Sequence, residues 1–127
     1  MTVHCTKVTG PPVNFPLSSG FQDIPGLSIT QYFDDEVILL IKTAIFHNPS
    51  GTEVQVATVF AIDGVIELNP EIRLDLKPGY VLAGTGANIY HVTSGQHTIT
   101  VKAVGKDEVT GEVVLANRAT LALIRWS

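Results

Sequence analysis

Cysteine is nearly absent. Cys5 stands alone, so the chain cannot close a disulfide within itself. Charge is scarce as well: Asp, Glu, Lys and Arg make up 16% of the residues, against roughly 25% in an average soluble domain. Long hydrophobic runs are missing. The longest, Val37 to Ile41, is stopped by Lys42, far short of the ~18 apolar residues a membrane-spanning helix needs. Met1-Thr2-Val3-His4 has no basic start leading into an apolar core, so no signal peptide is expected and synthesis in a cytoplasm is. The eight Lys and Arg are scattered over a chain of net charge -4. With no basic stripe interleaved with aromatics, nucleic acid is not an expected partner, and neither is a membrane.

Catalytic patterns are missing too. Ser18, Ser19 and Ser94 have no nucleophile-elbow context. Gly84-Thr85-Gly86 lacks the Lys-Ser/Thr and the helix N-terminus that would cradle a phosphate. Cys5 sits in the N-terminal segment outside any nucleophile motif and reads as inert. Glu67, Glu71 and Asp75 could act as a carboxylate pair only by accident of folding. Asp34-Asp35-Glu36 could offer oxygens to calcium, but not at EF-hand spacing, and reads as a solvated turn. There is no His-x-His pair. His91 and His97 flank an expected hairpin about Ser94-Gly95, in which His97 would pair with Val92 and His91 with Thr98. Directly paired residues share a face, so these two histidines would point to opposite faces and share no metal. No catalytic residue, cofactor or metal is expected, and the chain reads as a non-enzyme.

What the chain does contain is strands. Leu27 to Gln31 alternates after the Pro25-Gly26 turn, Val37 to Phe46 is apolar on both faces and reads as a central strand, and Thr52 to Ile62 follows Asn48-Pro49-Ser50-Gly51. Asp63-Gly64 gives a type I′ hairpin with Val65 to Leu68 pairing back. Ile72 to Leu76, the Pro78-Gly79 turn and Tyr80 to Ala83 come next. Gly84 to Asn88 is expected as a flexible loop, then Ile89 to Thr93 and Gln96 to Val104 as a further hairpin. A charged turn over Lys106 to Gly111 leads to a last strand bent near Asn117. Many short strands with regular turn signals and no helical periodicity predict one all-β domain, a sandwich of two antiparallel sheets.

The last strand carries the strongest expectation. Ala119, Leu121, Leu123 and Arg125 share one face; Thr120, Ala122, Ile124 and Trp126 share the other. Both are largely apolar, so the strand asks to be covered twice, by its own sandwich and by a second copy of the chain. Leu121, Ala122, Leu123, Ile124 and Trp126 are therefore the candidate self-association residues, with the two faces not yet told apart. Lys42 and Arg125 interrupt apolar strands; each either snorkels to an edge or meets a carboxylate at a subunit interface. Residues 1–20, with Pro11, Pro12 and Pro16, read as an extended arm preceding a domain at 21–127. Val3 to Val8 could add one edge strand. The arm is either a loose terminus or a docking segment presenting Val3, Val8, Val13 and Phe15.

From Phe21 on the sequence resembles the jelly-roll heads of the tumour-necrosis-factor-like and complement-globular-head superfamily, of the kind also found in phage structural proteins. The resemblance rests on Ile24-Pro25-Gly26-Leu27-Ser28-Ile29, the Ile62-Asp63-Gly64 hairpin, Thr93-Ser94-Gly95-Gln96-His97-Thr98-Ile99-Thr100-Val101 and Ala119-Thr120-Leu121-Ala122-Leu123-Ile124. It implies a jelly roll, a homotrimer, and terminal strands lining the three-fold axis. It points to a virion component of a tailed bacteriophage made in the host cytoplasm, most concretely a trimeric capsid decoration (cement) protein with the major capsid protein as partner. The alternative is a receptor- or carbohydrate-binding head of a tail fibre or secreted trimer, using loops such as Gly84 to Asn88.

Overall fold

The computed structural model describes residues 2–106 and 113–126. Nine strands are present among them: β1 (Val3–Thr9), β2 (Val13–Pro16), β3 (Gln22–Phe33), β4 (Glu36–His47), β5 (Val54–Ile62), β6 (Val65–Leu76), β7 (Val81–Val92), β8 (Gly95–Lys106) and β9 (Val113–Trp126). They form two antiparallel sheets. One has the order β1-β9-β4-β7, with β2 also on β9; the other has the order β3-β8-β5-β6. The apolar alternation read from the sequence decides which side chains fill the space between them. Ile38, Leu40 and Phe46 of β4, Leu121 and Leu123 of β9, Ile29 and Phe33 of β3, Val56 and Phe60 of β5, and Ile99 and Val101 of β8 form one buried core. Each fully buried Leu, Ile or Phe contributes about 1.5–3 kcal/mol.

From β3 onward only β5 and β6 are hydrogen-bonded chain neighbours, joined by the expected Asp63-Gly64 hairpin, in which Ile62 faces Val65 and both turn residues have positive φ. Every other connection crosses from one sheet to the other. This corrects the hairpin expected about Ser94-Gly95. β7 pairs with β4, and β8 pairs with β3 and β5, so His91 lies opposite Val37 and His97 opposite Gln31. Turn residues fix a local reversal but not which sheet receives the next strand. The charged turn expected over Lys106 to Gly111 falls, beyond Lys106, outside the described residues.

Two expected breaks are absent. Val65 to Leu68 and Ile72 to Leu76 belong to one strand, β6, whose pairing with β5 shifts register between Thr58 and Phe60. Gly84 to Asn88 is not a loop but the middle of β7, paired throughout with β4. Its glycines are there for close approach. A Cβ on Gly86 would come within 2.9 Å of Ile72 Cγ1 and 3.0 Å of Lys42 Cε, so only glycine lets β6 close that side of the sandwich. The bend near Asn117 is seen: the β4–β9 register shifts there, beside Arg118 with φ 48°.

The N-terminal residues are not an arm held apart from a head that starts at residue 21. β1 runs along β9 from Val3–Trp126 to Thr9–Thr120, and β2 continues from Val13–Ala116 to Pro16–Val113. Phe15 and Leu17 are buried in the core, with Val8 and Val13 packed against it. Prolines at 11, 12 and 16 leave this run free to be an edge of the sheet, where no second ladder is needed.

Candidate assembly interface

The pleat separates the two faces of β9. Ala119, Leu121 and Leu123 point into the sandwich and are buried; Thr120, Ala122, Ile124 and Trp126 point away from it. Leu121 and Leu123 are thereby removed from the candidate interface, since their surface is already used within the chain. Ala122, Ile124 and Trp126 remain. Sequence alone could not make this choice because both faces are apolar, and the register against β4 makes it: Leu40 of the core pairs with Leu123, whereas Leu39 pairs with Ile124.

The neighbouring strands extend the outward face. Leu39 and Ile41 stand beside Ile124 and Ala122, and across β4 they face Ile89 and Ala87 of β7. Cys5 lies opposite Ile124 and Val3 opposite Trp126 on β1. Ile89 and Val81 are each 59% exposed, Val3 58%, Val37 48% and Trp126 39%. The second sheet is the contrast. On β3 and β8 its outward face carries Ser28, Thr30, Tyr32, Gln96, Thr98, Thr100 and Lys102, with Thr30 and Thr98 hydrogen-bonded at 2.9 Å. The outward side of β3 and β8 is therefore dressed for water, while β6 of the same sheet exposes Val65 and Leu68. The outward side of β1-β9-β4-β7 sets its apolar side chains among Lys7, Thr43, Thr120 and His91, with Thr43 and Thr120 hydrogen-bonded at 2.6 Å.

The proposed docking residues divide. Phe15 is buried among core side chains, and Val8 and Val13 are half-buried against them, so none of the three presents a docking surface. Val3 alone is exposed, as part of the apolar face.

The two cations that interrupt apolar strands have different fates. Lys42 neither snorkels nor meets an interface: it is 2% exposed, inside the sandwich. Its Nζ donates to the carbonyl and hydroxyl of Thr58 and to the Pro70 carbonyl at 3.2 Å, and it lies 5.1 Å from the centre of the Phe60 ring. Burial pushes its pKa down to about 8, against the opposing pull of Glu71. Arg125 meets a carboxylate, but within its own chain. Nε and Nη2 donate to the two oxygens of Glu36 at 2.7 and 2.8 Å, and the guanidinium stacks over Phe33 at 4.7 Å. That fork holds Glu36 below the usual carboxylate range.

His97 is engaged at both ring nitrogens. Nδ1 meets Asp63 Oδ2 and Nε2 lies 2.8 Å from the Thr93 carbonyl, while Asp63 Oδ1 accepts the Thr98 amide. Two acceptors favour the doubly protonated ring, so its pKa is raised, chiefly by Asp63, and that of Asp63 is lowered in turn. The cluster pins the β5–β6 turn to β8. His91 instead lies 3.0 Å from Asp35 at the exposed β3–β4 turn. Among the described residues no three of His, Cys, Asp and Glu gather where they could hold a metal ion.

No protein-family model matches the chain, and no curated protein matches it in sequence. Solved structures do match. A structure of infectious bursal disease virus, Gx strain, superposes with a TM-score of 0.67 at 11% identity over 98% of this chain and 33% of that one. Murine APRIL gives 0.59 at 15% identity over 97% and 100%. Eiger TNF from S. frugiperda gives 0.60 at 8% identity over 98% and 93%. The chain thus spans about a third of the viral protein it matches and nearly the whole of the two cytokine-like ones. It has the tumour-necrosis-factor-like jelly-roll fold.

Proposed function

We propose that this chain is a structural subunit that assembles with copies of itself through the outward face of the β1-β9-β4-β7 sheet. The observation that carries this is the gathering of Leu39, Ile41, Ile89, Ala122, Ile124 and Trp126 on one outward face, where β3 and β8 of the other sheet carry mostly hydroxyls and amides. Apolar side chains gathered in this way are a liability on a monomer. A copy of the same chain is the partner argued for, because the whole fold matches tumour-necrosis-factor-like proteins and the resemblance read from the sequence implies a trimer. The assembled form is a homotrimer with β9 toward the three-fold axis.

The role we assign is non-enzymatic: a virion component, most concretely a capsid decoration protein of a tailed phage, seated on the major capsid protein. The fold match to infectious bursal disease virus proteins, one of them solved as T=1 particles, supports a place in a particle. Light scattering behind a sizing column is expected to give three times the 13.6 kDa chain mass. The purified protein should also sediment with capsids and not with tails. A monodisperse monomer at micromolar concentration would overturn the assembly, and a trimer that ignores capsids would overturn the decoration role alone.

A further inference from the structure

At the edge where β1 and β3 meet, the two sheets part around a cavity of about 520 Å³ lined by His4, Thr6, Gln31, Asp34, Glu36, Arg125 and Trp126. Its wall is a network of planar groups that hold one another in place. Glu36 grips Arg125 through both carboxylate oxygens, Arg125 Nη1 reaches Gln31 Oε1 at 3.4 Å, and Gln31 Nε2 donates to Thr6 Oγ1 at 2.9 Å. Stacking on Phe33 fixes the guanidinium from behind, and Asp34 binds Glu36 through its backbone amide at 2.9 Å. Trp126, 39% exposed, stands at the rim.

We propose that this cavity is a saccharide subsite that takes one neutral hexose unit of a glycan. The charge of Arg125 is already answered by Glu36, and Asp34 adds a negative charge beside His4, so the site has no surplus of fixed positive charge to draw an anion. An apolar ligand would bury the Gln31 amide, the Thr6 hydroxyl and the Arg125–Glu36 pair without replacing their water contacts, which is costly. A pyranose answers both demands. Its vicinal hydroxyls donate and accept together, as amide, carboxylate and guanidinium groups require, and its C–H face can lie on an indole. The volume is within the range of small-molecule sites, and groups fixed by one another lose little freedom on binding. All the lining residues belong to one subunit, so the site does not depend on self-assembly, and a monomer would leave this proposal intact.

Trp126 is the only tryptophan. Because it also belongs to the proposed assembly face, its emission is read at fixed protein concentration with the oligomeric state checked by sizing, so that a change on adding sugar reports on this site. The test titrates the intact protein with glucose, galactose, mannose and N-acetylglucosamine up to about 100 mM, with saturation-transfer NMR on the same sugars to register binding that leaves the indole silent. At least one sugar is expected to saturate in the millimolar range typical of a single weak site. Gln31→Ala, which removes an amide without touching the Arg125–Glu36 pair, should weaken it about tenfold, the worth of one good hydrogen bond. Asp34→Ala serves as the second variant, with circular dichroism confirming the fold of each. No saturable response to any of the four, or a response unchanged in both variants, overturns the proposal. So does methylamine binding in place of the sugars, which would make the site a cation site.

Discussion

Lys42 is the residue at which the strand pattern breaks most sharply, and the structure makes it an interior ammonium with three oxygen contacts. Its depressed pKa sets a sign. An unfolded lysine titrates near 10.5 and the folded one near 8, so between these values the unfolded state holds more protons and stability rises with pH. Wild type should gain on Lys42→Met by about 1–3 kcal/mol between pH 7.5 and pH 10 in denaturant titrations. A difference that stays flat would mean the ammonium is not desolvated. His97 and Asp63 run the other way. The raised imidazole pKa gives stability that is full below about 6.5 and is lost as pH climbs through the folded value. The depressed carboxyl pKa gives stability that is full above about 3.8 and is lost as pH falls through its own. Thermal melts of wild type relative to His97→Gln should therefore be most favourable between these two limits and decline on either side.

At the scale of the strand, β9 decides most of what the sequence left open. Its strand character, its two apolar faces and its bend at Asn117 could all be read from alternation and turn chemistry. Which face fills the sandwich could not, because Leu123 and Ile124 are equally apolar and only pairing with Leu40 and Leu39 of β4 separates them. Leu123→Asp should unfold the subunit: losing a packed leucine costs about 2–5 kcal/mol, and a desolvated carboxylate adds to that. Ile124→Asp should keep the native circular dichroism spectrum and shift the sizing profile to smaller species. Two folded, fully assembled variants would leave the outward face without a partner. β7 teaches a different lesson. Glycines at 84 and 86 looked like a loop because loops and close-packed strands both call for glycine, and the distinction lies in Ile72, more than ten residues away in sequence. Replacing a strand glycine by alanine ordinarily stabilises by about 0.5–1 kcal/mol. Gly86→Ala should instead destabilise by about 1–3 kcal/mol through overpacking, and adding Ile72→Val should recover part of the loss.

For the whole molecule, the crossing connections matter more than any single strand. A chain that passes between sheets at nearly every turn is held together by contacts distant in sequence, and its two ends meet on one strand, since β1 and β2 both lie along β9. Alternation along residues 3–8 hinted at an edge strand, but three prolines masked how closely the rest of the segment is packed. An arm built only for docking could be removed without harm to a domain of residues 21–127. The packing argues otherwise. Deleting residues 2–17 would strip the β1 ladder from β9, expose a long apolar edge and take Phe15 and Leu17 out of the core. At about 3–5 kcal/mol for a phenylalanine and 2–5 for a leucine, the loss rivals the roughly 5–15 kcal/mol that holds a typical domain folded. The truncated chain is expected to aggregate or to lose its cooperative melt. Phe15→Ala alone should lower stability while leaving assembly intact in whatever fraction stays folded. A truncated protein that melts cooperatively and elutes at three times its chain mass would instead establish residues 21–127 as the folding unit and return the N-terminal segment to the role of an arm.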